Sequence, residues 1–265
     1  MRHHAIVLVL ALAGAASCAP SAIPTSGKLD GTIVDLSHEY SDQAIFWPTA
    51  ESFRLDKVAD GMTPQGYYYA ANNFAGAEHG GTHVDAPVHF AQGRWSVEQI
   101  PPEQLIGEAA VVDVSAACAS QPDYQVSVAD LTTWEKTHGS LNETILLIRT
   151  DYASRWPDAA RYLGTAERGE GAVAKLHFPG IHPDAAKWLV ENRRVKAVGI
   201  DTASIDYGQS TLYETHRMLY ERNIPGLENL TNLNRLPARG ATLVALPMKI
   251  KGGSGAPLRA IGLLR

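Results

Sequence analysis

A chain of 265 residues with 45% apolar side chains is long enough to bury the core of one domain. Its formal net charge is −5 and it contains no basic block, so nucleic-acid binding has no electrostatic support. Cys18 and Cys118 are its two cysteines, too few for a disulfide framework or a thiolate-built metal centre.

Taken in chain order, residues 1–19 read as an export signal. Met1-Arg-His-His leads into an apolar run from Ala5 towards Cys18 that falls short of the ~20 residues of a membrane span. Ala15-Ala-Ser-Cys18 resembles a bacterial lipobox, with Ala15 where leucine is usual. Cys18 is then either the lipidated first residue of the mature chain or is removed by ordinary cleavage near Ala19. The expected location is periplasmic or lipid-anchored to the bacterial envelope, with membrane contact only through Cys18. Residues 20–30, rich in Pro, Ser and Gly, form a linker, and residues 31–265 form a single domain.

Within that domain, Thr32–Ser37 is the first short run with the Val, Ile and Leu content of a buried strand. Phe46-Trp47-Pro follows, either as core beside a turn or as an aromatic wall for a ligand ring. Strands are predicted again at Ala109–Val114, Thr144–Arg149, Val195–Asp201 and Ala241–Pro247. Cys118 is expected to pack as a small apolar side chain. Helices are predicted over Val128–Thr137 with Ser127 as N-cap, over His182–Arg193 with proline in the first turn, and over Thr211–Arg222, which ends before Pro225. Ser204 and Asp206 follow a strand end and suit capping of the next segment or the lining of a pocket. Lys251-Gly-Gly-Ser-Gly255 lacks the full order of a phosphate loop and reads as a flexible connection between two C-terminal strands. Asn142-Glu-Thr and Asn229-Leu-Thr are glycosylation sequons. Strands mixed with helices, without strict alternation, indicate an α/β fold on a mixed sheet.

The densest chemistry lies in His79-Gly-Gly-Thr-His83-Val-Asp85-Ala-Pro-Val-His89. In an extended segment alternate side chains share a face, so residues 79, 83, 85 and 89 would point one way. On a helix Asp85 and His89 would swing away from the other two, and the Gly pair and Pro87 oppose a helix in any case. An extended or looping segment with its polar groups converging on one point is therefore expected. Imidazoles with a carboxylate suit Zn²⁺ or Mn²⁺, and three protein ligands leave a position open for water or substrate. His216 lies in the predicted third helix, where a histidine reads first as a neighbour of the core and only second as a ligand.

The pattern H-x-G-T-H-x-D-x-P-x-H, met by His79, Gly81, Thr82, His83, Asp85, Pro87 and His89, resembles the signature of metal-dependent cyclase-family hydrolases. That family includes bacterial kynurenine formamidases and isatin hydrolases. The likeness continues in Phe178-Pro-Gly-Ile-His-Pro-Asp, in Gly199-Ile-Asp-Thr-Ala-Ser-Ile-Asp206, and in His216 followed by Glu228. It implies a swivelling β/β/α architecture and a homodimer or homotetramer. It also implies one or two divalent ions per subunit, zinc or manganese: His79, His83 and Asp85 hold one, and Asp85 bridges to another held by His216 and Glu228. His89 is then an acid/base rather than a ligand, assisted by Glu228, and Phe46 and Trp47 face the substrate ring. The implied reaction is hydrolysis of a C–N bond in a small, aryl-containing amide, formamide or lactam. An export signal shifts the expected substrate from an intracellular tryptophan catabolite to a ring compound met outside the cell. The competing reading is an exported zinc-binding lipoprotein without catalysis, which would have no use for His89 and Glu228 as acid/base groups.

Overall fold

The computed structural model describes residues 31–264. The export signal expected over residues 1–19, with Cys18, and the linker expected over 20–30 lie outside the described residues. No helix among the described residues is long and apolar enough to cross a membrane.

The strands are β1 (Thr32–Asp35), β2 (Arg54–Met62), β3 (Tyr68–Ala75), β4 (His83–Asp85), β5 (Ile106–Asp113) and β6 (Gln125–Val126). After these come β7 (Ile145–Arg149), β8 (Gly180–Ile181), β9 (Ala197–Ile200), β10 (Gly226–Glu228), β11 (Ala241–Pro247) and β12 (Gly255–Leu264). The helices are α1 (Pro102–Leu105), α2 (Ser115–Ser120), α3 (Val128–His138), α4 (Ala159–Leu163), α5 (Glu170–Val173), α6 (Pro183–Asn192) and α7 (Glu214–Tyr220).

The main sheet runs β1-β12-β11-β5-β7-β9-β10-β4, and β4 pairs back onto β12. Seven strands thereby close on themselves as a barrel, and β1 adds to the far half of β12. The sheet is mixed: β5, β7, β9 and β10 are parallel neighbours, the other pairs antiparallel. Parallel strands are covered on both faces and so read as continuous apolar runs. Ile145-Leu-Leu-Ile and Ala197-Val-Gly-Ile are buried throughout. Their alternate residues serve two separate cores. Ile145, Leu147 and Ala197 join Val84, Leu227, Leu243 and Ala256 in a cluster to which every barrel strand contributes, the barrel interior. Leu146, Ile148 and Val198 face the other way, onto Leu131 and Trp134 of α3 and Ala185 and Leu189 of α6.

Helix starts follow their capping chemistry. Ser127 Oγ accepts from Asp130 N–H while the Asp130 carboxylate accepts from Ser127 N–H, a reciprocal box that opens α3. His182 Nδ1 accepts from Asp184 N–H ahead of Pro183 at the start of α6. The third predicted helix is shorter than expected, because Tyr213 sits at φ 48° and α7 begins only at Glu214. The first predicted strand ends at Asp35, and Ser37 makes only an isolated bridge to Leu230. The β2–β3 hairpin, absent from the predicted elements, is exposed along nearly its whole length. Cys118 is buried as expected, and burial pushes its thiol up to about 12.

Candidate metal centre and active site

The shortest strand positions the site. In β4, Val84 points into the barrel, so His83 and Asp85 point out of it. On one side β4 pairs with β10, which sets Glu228 opposite His83 and Gly226 opposite Asp85. On the other side it pairs with β12, which sets Pro257 opposite His83 and Gly255 opposite Asp85. The expected shared face holds for His83 and Asp85 only. His79 arrives by a turn at Gly81, whose φ of +55° is a glycine conformation, and His89 arrives by a 3₁₀ turn over Pro87–His89.

All five expected ligand residues come together. Asp85 Oδ1 lies 2.7 Å from His79 Nδ1 and 3.1 Å from His83 Nε2. Asp85 Oδ2 lies 3.4 Å from His216 Nε2 and accepts from the Tyr220 hydroxyl at 2.9 Å. Glu228 Oε1 is 3.2 Å from His216 Nε2, and its Oε2 is 3.5 Å from His83 Nε2. His89 Nε2 stands 4.0 Å from Asp85 Oδ2, with its ring stacked on His79 at 3.9 Å. The contacts of Glu228 are thus to His216 and His83 rather than to His89.

Counting protons shows what the cluster is built to hold. A neutral imidazole has one N–H. His83 Nδ1 meets the Gly81 carbonyl at 3.0 Å, His216 Nδ1 meets Asp206 Oδ2 at 2.5 Å, and His79 Nε2 meets Ser254 Oγ at 2.9 Å. With each N–H used outward, the second nitrogen of each ring turns a lone pair towards Asp85 or Glu228. His83 Nε2 is fully buried and has no hydrogen-bond partner. Acceptors facing acceptors in a buried site need a cation or extra protons between them. Imidazole and carboxylate donors around a buried orphan nitrogen fit a divalent ion, and each ring has the outward partner that orients a ligating histidine.

The titration behaviour agrees. Burial opposes the charge on Asp85, but His79, His216 and His83 outweigh it and hold the carboxyl well below its ordinary range. Glu228 is raised by burial and by the Asp85 charge. Burial opposes protonation of His83, yet Asp85 and Glu228 raise it to about 8. A metal must therefore displace a proton from His83 below about pH 8. Divalent-metal affinity is expected to weaken by up to about tenfold per unit as pH falls below that value, with proton release on binding; calorimetric titrations at pH 6.5 and 8.5 check it. His89 behaves oppositely, since burial lowers it to about 4 and leaves it neutral at pH 7.

A cavity of about 310 Å³ opens over the cluster, within the size range of small-molecule sites. Phe46 and Trp47 both line it, and Phe46 packs so closely over Gly80 that any Cβ there would overlap its ring. Phe90 and Tyr213, with ring centroids 5.1 Å apart, form another part of the wall.

Asp206 caps α7, the role expected for it, accepting from the N–H groups of Thr215 and His216, and it also fixes the His216 ring. Other contributors escaped the sequence reading. Tyr220 lies one helical turn after His216 and reaches Asp85. Asn229, next to Glu228, is buried, donates to the Gly81 carbonyl and accepts from the Tyr162 hydroxyl. Its sequon is therefore closed to a glycan. The 251–255 loop is held by carboxylates rather than left free: Glu98 accepts from Gly252 N–H, and Glu78 from Ser254 N–H.

Gly255 is required by close approach. A Cβ there would lie 2.5 Å from His79 Cε1 and 2.8 Å from its Nδ1. Gly255→Ala is expected to displace the His79 ring and weaken metal binding about 10–100-fold, the loss typical of disturbed ligand support. Calorimetric metal titration beside a melting curve checks this, with the fold retained.

The profile of the Cyclase family matches residues 34–207. The chain belongs to this family. An isatin hydrolase from Roseibium aggregatum is 33% identical over 208 residues, which are 75% of this chain and 76% of that protein. A kynurenine formamidase from Salinibacter ruber is 29% identical over 229 residues, covering 86% of this chain and 96% of that protein. Among solved structures, isatin hydrolase A from Ralstonia solanacearum matches with a TM-score of 0.78 at 34% identity, over 88% of this chain and 92% of that one. The expectation of a mixed-sheet α/β fold of the cyclase family is met, with the sheet closed as a barrel, and the family match covers the segment that carries His79, His83, Asp85 and His89.

Proposed function

We propose that this protein is a metal-dependent hydrolase that opens a C–N bond in a small aryl amide, with a cyclic amide of the isatin type as the favoured substrate. His79, His83, Asp85, His216 and Glu228 would hold one or two divalent ions, zinc or manganese. The observation that carries this reading is the convergence of three imidazole nitrogens on two buried carboxylates beneath an aromatic-walled cavity. The similarity to isatin hydrolases favours the cyclic amide over the formamide.

A bound divalent ion supplies Lewis acidity, bringing the pKa of water towards ~7 and stabilising an oxyanion. The chain supplies position and proton transfer. Phe46, Trp47 and Phe90 clasp a flat ring and exclude water. His89, neutral at pH 7, takes a proton from the attacking water and gives it to the departing nitrogen. Its stacking on His79 fixes the ring plane from which it works. Hydrolysis of isatin, N-formylkynurenine, simple aryl formamides and esters by the reloaded enzyme tests the assignment. The highest kcat/KM is expected for the cyclic amide, and turnover of esters alone would refute it.

The protein acts, in this proposal, as a homodimer or homotetramer outside the cytoplasm, either periplasmic or lipid-anchored through Cys18. The location rests on the sequence of residues 1–19 alone. The oligomer is supported by the β2–β3 hairpin, where Leu55, Val58, Met62, Tyr67, Tyr68, Tyr69 and Phe74 are each more than half exposed. Such an apolar ribbon is unusual on a monomer surface. Tyr68→Asp with Phe74→Asp is expected to shift the protein to monomer in light-scattering measurements; an unchanged mass removes the hairpin from the interface.

A further inference from the structure

The loop before β12 carries a hydrogen-bonded chain that ends on the metal centre. Ser254 Oγ lies 2.9 Å from His79 Nε2 and 2.7 Å from Glu78 Oε2. The same Glu78 oxygen accepts from the N–H groups of Ser254 at 2.9 Å and Gly255 at 3.3 Å. A hydroxyl has one proton and an ionised carboxylate can only accept. Ser254 therefore donates to Glu78 and must accept from His79 Nε2–H. That places the ring proton on Nε2 and turns the Nδ1 lone pair towards Asp85 Oδ1, 2.7 Å away.

The other two rings are held differently, His216 by a carboxylate directly and His83 by a backbone carbonyl. His79 alone of the three uses a hydroxyl backed by a carboxylate, and the two residues come from opposite ends of the domain. The glycines around Ser254 serve the same arrangement. A Cβ on Gly253 would lie 2.9 Å from Glu78 Oε1, and one on Gly255 would strike the His79 ring.

We propose that Glu78 and Ser254 form a relay that fixes the tautomer and orientation of His79 and so sets the affinity of the centre for its divalent ion. This rests on the metal-centre reading above. Both are positioning residues, since neither touches substrate or the reacting atoms. A negative charge behind the hydroxyl makes its oxygen a stronger acceptor and His79 a better donor to a cation.

The test titrates metal-stripped protein with Zn²⁺ calorimetrically for the parent, Ser254→Ala, Ser254→Thr and Glu78→Gln, with a melting curve for each. Long-range ¹⁵N–¹H spectra of the histidine rings report the His79 tautomer in the metal-free form. Ser254→Ala and Glu78→Gln are expected to raise the Zn²⁺ dissociation constant about 10–100-fold. Ser254→Thr, which keeps the hydroxyl, should stay near the parent value, and the Nε2–H signal of His79 should weaken in Ser254→Ala. Parent-like affinity in a folded Ser254→Ala overturns the relay alone. Equal losses in Ser254→Ala and Ser254→Thr also overturn it, by showing that shape rather than the hydroxyl matters. A parent protein that binds no Zn²⁺ overturns the metal-centre reading itself, and the relay with it.

Discussion

Replacing His89 by alanine is expected to lower kcat about 10²–10⁴-fold, the usual contribution of a general acid/base, while metal content stays at the parent level. Its Nε2 stands 4.0 Å from Asp85 Oδ2, farther than the nitrogens of His79, His83 and His216 stand from the carboxylates. It lines the cavity, and burial keeps it neutral at pH 7, with one ring nitrogen unprotonated. Geometry also allows a grouping of His79, Asp85 and His89 around an ion, so the measurement must separate the two roles. Elemental analysis beside steady-state kinetics does so. Retained metal with lost turnover supports the acid/base role, whereas metal lost together with turnover makes His89 a ligand. The cavity already weighs against a protein that merely stores zinc, because storage needs no aromatic-walled space beside the ion.

Asp85→Asn is expected to have the other large effect, abolishing turnover and weakening metal binding beyond the ~100-fold typical of an outer-shell loss. The substitution preserves size and removes the charge that three imidazoles and the Tyr220 hydroxyl surround. It also relieves Glu228, which the Asp85 charge helps to raise, so the metal-free variant should remain folded. Calorimetric titration with Zn²⁺ and Mn²⁺ gives the loss directly. Parent-like affinity for both ions would show that Asp85 is not a ligand.

What could be read in the sequence followed from burial and from local spacing. Strands β7 and β9, and residues 109–112 of β5, are legible because both faces are covered and the apolar run is unbroken. The β2–β3 hairpin is not, since Lys57-Val-Ala-Asp60 has no buried face to impose alternation. Strands β4 and β10 have three residues each, too few for a periodic signal. The candidate ligand set was visible because His79, His83 and Asp85 lie within one short segment and the family likeness supplied His216 and Glu228. Asn229, Glu78 and Ser254 acquire their roles only when the barrel closes. Nothing in the local sequence of Lys251-Gly-Gly-Ser-Gly255 announces that β12 will pair with β4 and bring Ser254 onto His79.

The most direct measurement of the central claim is a turnover titration. Metal-stripped protein receives Zn²⁺ or Mn²⁺ in sub-stoichiometric steps while isatin hydrolysis is followed at each step. No turnover without metal, rising linearly to a break at one or two equivalents per chain, is the result expected of the centre built by His79, His83, Asp85, His216 and Glu228. Full turnover in the stripped protein, or a stoichiometrically loaded protein inert towards isatin and the other amides, would contradict it.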